Sequence, residues 1–116
     1  MRDVRARLSD MLEAIEQIES QASKGKSAFF ADSLIQVWMV HHLMIIGEAV
    51  RAIDPAFKQK HPGVPWRQIA GMRNVLVHDY FRVNQTLVWE TVEKDIPALK
   101  AEILRLSREL PPSTAE

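Results

Sequence analysis

Apolar residues recur every three or four positions along most of this chain, and this spacing predicts amphipathic α-helices. The first stripe consists of Val4, Leu8, Met11, Ile15 and Ile18. Asp3 precedes the stripe and has a side chain suited to an N-cap. The polar stretch 23–27 follows it, and Gly25 within that stretch is suited to a C-terminal cap. We therefore predict a first helix that begins near Val4 and ends at this stretch.

A second helix is predicted from near Asp32 to about Ile53, and its apolar residues cover almost its whole circumference. A helix that is apolar all round must be buried on more than one side. Because four helices of one short chain can hardly cover it completely, we expect self-association. A two-fold homodimer is the commonest form.

The second half of the chain is divided by prolines. Asp54–Val64 reads as a connector that has room for one helical turn, and a third helix is predicted from about Trp66 to near Tyr80. Asn84 is a candidate N-cap for a last helix, which Pro97 should bend or break. The apolar stripe of that helix consists of Val88, Val92, Ile96, Leu99, Ile103, Leu106 and Leu110.

Together these patterns predict an all-α, up-and-down bundle of four to five helices. Alternating segments typical of β-strands are missing from the sequence. The length of 116 residues (13.3 kDa) is that of one domain with its own core. We assign residues 1–110 to this domain and expect residues 111–116 to form a flexible tail.

Composition excludes several classes of protein. The chain has no cysteine, which rules out disulfides, thiolate metal sites and a cysteine nucleophile. Its charged N-terminus does not read as a secretory signal. The apolar stretch Leu34–Ile46 is interrupted by polar residues and is too short to span a bilayer. We expect a cytoplasmic protein that does not associate with a membrane.

The net charge is zero, from 15 basic and 15 acidic residues, and this disfavours a strongly basic nucleic-acid-binding protein. However, the segment from Phe57 to Arg82 carries a charge of +4. Its basic residues are Lys58, Lys60, Arg67, Arg73 and Arg82, and its one acidic residue is Asp79. Two interpretations stay open at this point: a loop region that happens to be basic, and a local anion site.

The candidate chemistry lies in residues 73–80 of the third helix. Asn74 and His78 are four residues apart, about 40° around a helix axis, and are therefore neighbours. Arg73 and Tyr80 share a stripe about 140° away from His78. Two arrangements could still unite Arg73 with His78: loosening of the helix at its end, or pooling of side chains from two helices across a dimer axis.

An arginine and a histidine in one pocket could cleave RNA without a metal. The guanidinium fork matches two phosphate oxygens, and an imidazole can transfer the proton of a ribose 2′-hydroxyl or of the leaving oxygen. Asn74 could orient the phosphate or the imidazole. The alternative is that Arg73 pairs with a carboxylate and His78 merely ends a helix; spacing alone favours this alternative.

A resemblance to a known family favours the catalytic interpretation of Arg73 and His78. The run GMRNVLVHDY resembles the R-x4-6-H motif of HEPN-domain ribonucleases, in the R-x4-H-x-Y form typical of HepT-like toxins. These toxins are paired with a minimal nucleotidyltransferase (MNT) antitoxin. The likeness covers nearly the entire chain and includes RDVRARLSDMLEAIEQIE, IIGEAV, HPGVPWRQIAGMRN and VWETVEKDIPALKAEI.

The resemblance implies a homodimer whose two motif helices face one cleft, and it is compatible with a larger hetero-complex. It implies metal-independent endonucleolytic or tRNA-trimming activity and no cofactor. Arg73 and His78 match the catalytic pair, and Asn74 matches the polar residue after the arginine. Tyr80 matches the tyrosine that the partner nucleotidyltransferase modifies with AMP to silence the toxin. Glu48 matches a family glutamate that could orient Arg73; an ordinary interhelical salt bridge is the equal alternative.

Other conspicuous residues have simpler interpretations. His41 and His42 replace the polar pair that we expect in relatives, and adjacent histidines on a helix point about 100° apart and cannot chelate one metal together. The three tryptophans read as core or interface residues, although Trp66 lies close enough to the motif to be a candidate for base stacking.

Two functional hypotheses therefore remain besides a catalytically inactive structural relative. The first is a toxin ribonuclease that acts on RNA, such as tRNA or mRNA, and is neutralised by its nucleotidyltransferase. The second is a non-catalytic helical dimer that binds and regulates the nucleotidyltransferase, with Arg73 and His78 holding a nucleotide or a loop of the partner.

Overall fold

The structure is a computed structural model that describes residues 3–78 and 84–110, without the side chains of residues 73–78. All regular elements in these ranges are helical, so the predicted all-α fold is confirmed. They are α1 (Val4–Ala22), α2 (Lys26–Ala31), α3 (Ser33–Ala52), α4 (Pro55–Lys60), α5 (Trp66–His78), α6 (Gln85–Glu90), a π-helical turn (Thr91–Asp95) and α7 (Ile96–Glu109). The four predicted helices correspond to α1, α3, α5 and the segment from α6 to α7. The short helix α4 lies where the connector was expected to form a helical turn, and α2 is an additional short helix.

The first helix begins as the sequence predicts. The Asp3 carboxylate accepts a hydrogen bond from the Ala6 N–H at 2.9 Å, which satisfies one free donor of the first turn. The assignment of Gly25 as the C-terminal cap was wrong. Ser23 caps α1, and Gly25, with φ of +96°, is the residue from which α2 starts.

The last helix is interrupted close to the predicted position. Asn84 caps α6, because its side chain accepts a hydrogen bond from the Leu87 N–H at 3.2 Å. Pro97 lies in the first turn of α7, directly after the π-helical turn. Proline has no N–H to donate, and its ring collides with the carbonyl four residues earlier. The wider turn before Pro97 accommodates both constraints.

The core is built around α3, which packs against α1, α2 and α5, while α1 also packs against α7. Its most deeply buried members on these helices are Leu8, Met11, Ile15, Ile18, Phe29, Met39, Leu43, Ile46, Val50, Ile103 and Leu106. Trp66 and Trp89 belong to this core, as predicted. Trp66 is 8% exposed and donates its indole N–H to the His61 carbonyl at 2.9 Å, so its ring is not a free stacking platform.

The apolar stretch Leu34–Ile46 was judged too short to span a bilayer, but the helix that contains it, α3, is long and apolar enough to cross one, with a mean hydropathy of 1.3. Half of its residues are buried within the bundle, as in the core helix of a globular protein. Part of the remaining surface is apolar: Leu34 is 78% exposed and Val37 is 49% exposed. The expectation that α3 has an apolar side left uncovered by its own chain is therefore met at these two residues.

Some predictions fall on other parts of the chain. The structure describes α5 up to His78, so the expected end of this helix near Tyr80 lies outside the described residues. The same holds for the expected flexible tail at 111–116.

Candidate functional site

Helix α5 carries three of the candidate site residues. Arg73, Asn74 and His78 all lie in its last two turns, and the α-helix continues without interruption to His78. In a regular helix the Cα positions of Arg73 and His78 are therefore about 7.5 Å apart along the axis and about 140° apart around it. Loosening before His78 is not seen. Tyr80, the fourth candidate on this segment, lies outside the described residues.

Glu48 lies on α3, the helix against which α5 packs. Its side chain is exposed, and one carboxylate oxygen lies 3.8 Å from the guanidinium of Arg51, one turn later on the same helix. The structure thus places Glu48 on the helix next to the motif helix and gives it an ion pair along α3. A role toward Arg73 stays a prediction.

An open groove of about 640 Å³ runs between α1 and α3 and includes Glu48. The polar side chains on its walls are Arg7, Asp10, Glu13, Gln17, His41, His42 and Glu48. This groove was not predicted from the sequence. The spacing of residues 7, 10, 14 and 17 on α1 was the available signal, because such a stripe faces one direction.

The two histidines of α3 occupy different environments. His42 is 8% exposed, and its Nδ1 lies 2.8 Å from the Trp38 carbonyl, one turn earlier. Because a carbonyl only accepts, this bond requires the proton on Nδ1. His41 is exposed, and its ring stands perpendicular to that of His42 at 4.9 Å between centroids. Both histidines therefore line the groove, but His42 is mostly buried and held by the Trp38 carbonyl, whereas His41 is exposed.

Comparison with known families shows which protein family the chain belongs to. The sequence model of the family described as "Ribonuclease HepT-like" matches residues 11–106, which include all of α3 and α5. The chain belongs to the HepT-like ribonuclease family. The resemblance seen in the motif sequence is therefore confirmed over most of the chain.

Individual relatives agree with the family assignment. The HepT-like chain is 40% identical over 110 residues to a Methanocaldococcus jannaschii protein named "Gamma-glutamylcyclotransferase and putative RNase"; the match covers 94% of the chain and 50% of the relative. A second M. jannaschii protein, named "Putative RNase", is 40% identical over 88% of the chain and 94% of its own length. A Thermococcus cleftensis protein named "Probable ribonuclease HepT" is 41% identical over 87% of the chain and 93% of its own length. No solved structure matches the chain.

The chain thus spans about half of the first relative and nearly the whole of the other two. For the HepT-like chain, family membership supports ribonuclease activity of the HEPN class on an all-α fold. We give as proposals which residues perform the reaction, how the enzyme is silenced and which partners it binds.

Proposed function

We propose that this protein is a metal-independent endoribonuclease in which Arg73 and His78 act on the same phosphodiester of an RNA substrate. The observation that carries the proposal is the match to the HepT-like ribonuclease family across a helix that holds both residues. Glu48 lies on the adjacent helix, where it could orient Arg73, and Asn74 could hold the phosphate or the imidazole.

The reaction that this pair would support is a transesterification. The ribose 2′-oxygen forms a bond to phosphorus, and the bond from phosphorus to the 5′-oxygen of the next nucleotide breaks. The 2′-hydroxyl loses a proton, and the leaving 5′-oxygen gains one. The imidazole of His78 suits either proton transfer. The guanidinium of Arg73 would stabilise the negative charge that increases on the phosphate oxygens in the transition state.

A dimer provides the geometry that one regular helix does not. Within one α5 the two residues are about 140° apart around the axis, so one subunit alone does not direct both toward a single phosphate. Two α5 helices facing one cleft would pool two arginines and two histidines, which allows one imidazole to act as base and the other as acid. The uncovered apolar side chains of Leu34 and Val37 support self-association.

The biological role that we propose is that of a toxin acting in the cytoplasm, held inactive by an MNT-type nucleotidyltransferase in a larger hetero-complex. In this proposal the nucleotidyltransferase transfers AMP from a nucleoside triphosphate to the Tyr80 hydroxyl; an oxygen–phosphorus bond forms, and pyrophosphate and the hydroxyl proton leave. The bulky anion added two residues after His78 would block the cleft and compete with RNA for Arg73.

Cleavage of a mixed RNA pool in excess EDTA tests the catalytic proposal. We expect the parent protein to cleave, and Arg73→Ala and His78→Ala to lose at least a hundredfold in rate while they keep their helical circular dichroism. Arg108→Ala, which removes an exposed cation in the last turn of α7, should cleave like the parent. Absence of cleavage by all four proteins, together with tight binding to the nucleotidyltransferase, would instead indicate the non-catalytic binding module.

Light scattering tests the dimer. At micromolar concentration we expect a mass of twice 13.3 kDa. A monomeric mass under conditions in which the protein cleaves RNA would contradict the shared cleft.

A further inference from the structure

An open groove of about 570 Å³ lies where α4 and the connector after it meet the start of α5. Four polar side chains line it, and all four can donate hydrogen bonds: Lys58, Gln59, Arg67 and Gln68. None of the described residues that line it is acidic. We call these four residues, with the space between them, the basic groove.

The donors of the basic groove are available for a ligand. Gln59, Arg67 and Gln68 are exposed. Lys58 is half-buried, and its Nζ donates one hydrogen bond to the Val50 carbonyl at 3.1 Å, in the last turn of α3. An ammonium group has three N–H donors, so two remain for another acceptor. The bond to Val50 also holds the charge of Lys58 in a fixed position.

Two acidic groups close to α4 and the connector have partners outside the basic groove. Asp54, which precedes α4, uses its carboxylate to accept the Ala56 N–H at 2.8 Å as an N-cap. Glu102 comes close to the connector at Gly63, but it is held by Arg105, whose Nη2 donates to its carboxylate at 3.0 Å. The potential in the basic groove is therefore expected to stay positive although the whole chain has no net charge.

We propose that the basic groove binds the phosphate backbone of single-stranded RNA beside the site of cleavage. Cationic and amide side chains are the groups that contact nucleic-acid phosphates and set the register of the strand. Arg67 and His78 lie on the same face of α5, eleven residues or about 16.5 Å apart along its axis and about 20° apart around it, so one strand can reach both. This proposal rests on the proposed ribonuclease function and names the surface that holds its substrate.

The salt dependence of RNA binding tests the basic groove. A fluorescein-labelled single-stranded RNA of mixed sequence is titrated with the His78→Ala protein, which binds without cleaving, at salt concentrations from 50 to 200 mM. The same titration is done with Lys58→Gln and Arg67→Gln added, after circular dichroism has shown that the variant keeps its helices. Each lost phosphate contact should reduce the slope of log affinity against log salt by about 0.7, or about 1.4 for both. Between 50 and 200 mM salt, the loss of affinity should therefore be about seven times smaller in the groove variant than in the His78→Ala protein alone.

The matched control removes two cations far from the basic groove. Lys24 and Lys26 are exposed just before α3, whereas the basic groove follows its other end. The 20 residues of α3 separate the two regions by about 30 Å. Lys24→Gln with Lys26→Gln changes the net charge by the same amount and should leave the slope unchanged. An equal effect of both pairs would mean that only total charge matters and would overturn the proposal.

Other outcomes separate this proposal from the catalytic one. An unchanged slope in the groove variant, with cleavage by the parent intact, would reject the basic groove and leave the ribonuclease in place. A reduced slope without cleavage by the parent would show RNA binding and reject the catalytic role. Weaker binding to the nucleotidyltransferase with unchanged RNA binding would assign the basic groove to an acidic protein surface and overturn our proposal.

Discussion

The indole N–H of Trp38 donates a hydrogen bond to the backbone carbonyl of Gln17 at 2.7 Å. The two residues are 21 positions apart, so this bond joins α1 directly to α3, the two longest helices of the described chain. A carbonyl has two lone pairs, and that of Gln17 can accept the indole N–H in addition to a bond within its own helix. The pair thus fixes the relative position of the helices that form the groove containing His41 and Glu48.

Trp38→Phe should lower the free energy of unfolding by about 1 kcal/mol, because it removes this hydrogen bond and keeps most of the ring. The measurement is equilibrium unfolding in urea at pH 7. A variant as stable as the parent would mean that water replaces the indole donor at no cost and that the bond does not hold α1 to α3.

Ile46→Ala should lower the free energy of unfolding by about 2–5 kcal/mol, because Ile46 is fully buried on α3 and its loss leaves a cavity. Leu87→Ala is the matched control: Leu87 is 57% exposed on α6, and its change should stay within about 0.5 kcal/mol. Equal effects of the two substitutions in urea unfolding would contradict the position of α3 at the centre of the core.

Glu102→Gln should reduce the loss of stability in acid. The hydrogen bond from Arg105 lowers the pKa of the Glu102 carboxyl from its ordinary value of 4.5. A carboxyl with a lowered pKa in the folded state contributes stability that is present above its unfolded pKa and is lost as the pH falls through the folded pKa. The difference in unfolding free energy between pH 7 and pH 3 should therefore be smaller in the variant.

The control for this experiment is Glu16→Gln at an exposed position of α1. It makes the same chemical change and should keep the pH dependence of the parent. If Glu102→Gln shows that same dependence, the ion pair with Arg105 does not contribute to acid stability.

Tyr80→Phe should abolish silencing by the nucleotidyltransferase, because phenylalanine has no hydroxyl to accept AMP. After co-expression with that partner, intact-mass spectrometry should show added AMP on the parent and none on the variant. The variant should also retain ribonuclease activity that the parent loses. AMP found on Tyr80→Phe would place the modification elsewhere.

Local chemistry in the sequence was enough to predict most helix boundaries. The caps at Asp3 and Asn84 are short side-chain-to-backbone bonds within three residues, so the sequence order alone brings donor and acceptor together. The break before Pro97 likewise follows from a missing N–H in a continuous apolar stripe. The central position of α3 followed from its apolar circumference.

Features that depend on tertiary contacts or on very short elements were not predictable. Helix α2 has six residues, too few to show a period, and Gly25 at its start looked like the end of α1. The bond from Trp38 to Gln17 joins positions that no spacing rule relates. For the site, the sequence predicted that Arg73 and His78 lie on one helix, and both lie on α5. The groove between α1 and α3 was not predictable, because it forms only when the two helices pack.

The π-helical turn at Thr91–Asp95 has a consequence for how the chain tolerates a change in length. Loss of one residue inside the turn would convert it into an ordinary α-helical turn and would bring the ring of Pro97 against the carbonyl four residues earlier, so the deletion requires a residue other than proline there. With that replacement the side chains from Ile96 onward would still face the core, whereas the same deletion in the middle of α1 would rotate all later side chains of that helix by about 100°. A one-residue deletion paired with a replacement of Pro97 therefore leaves the interior in register.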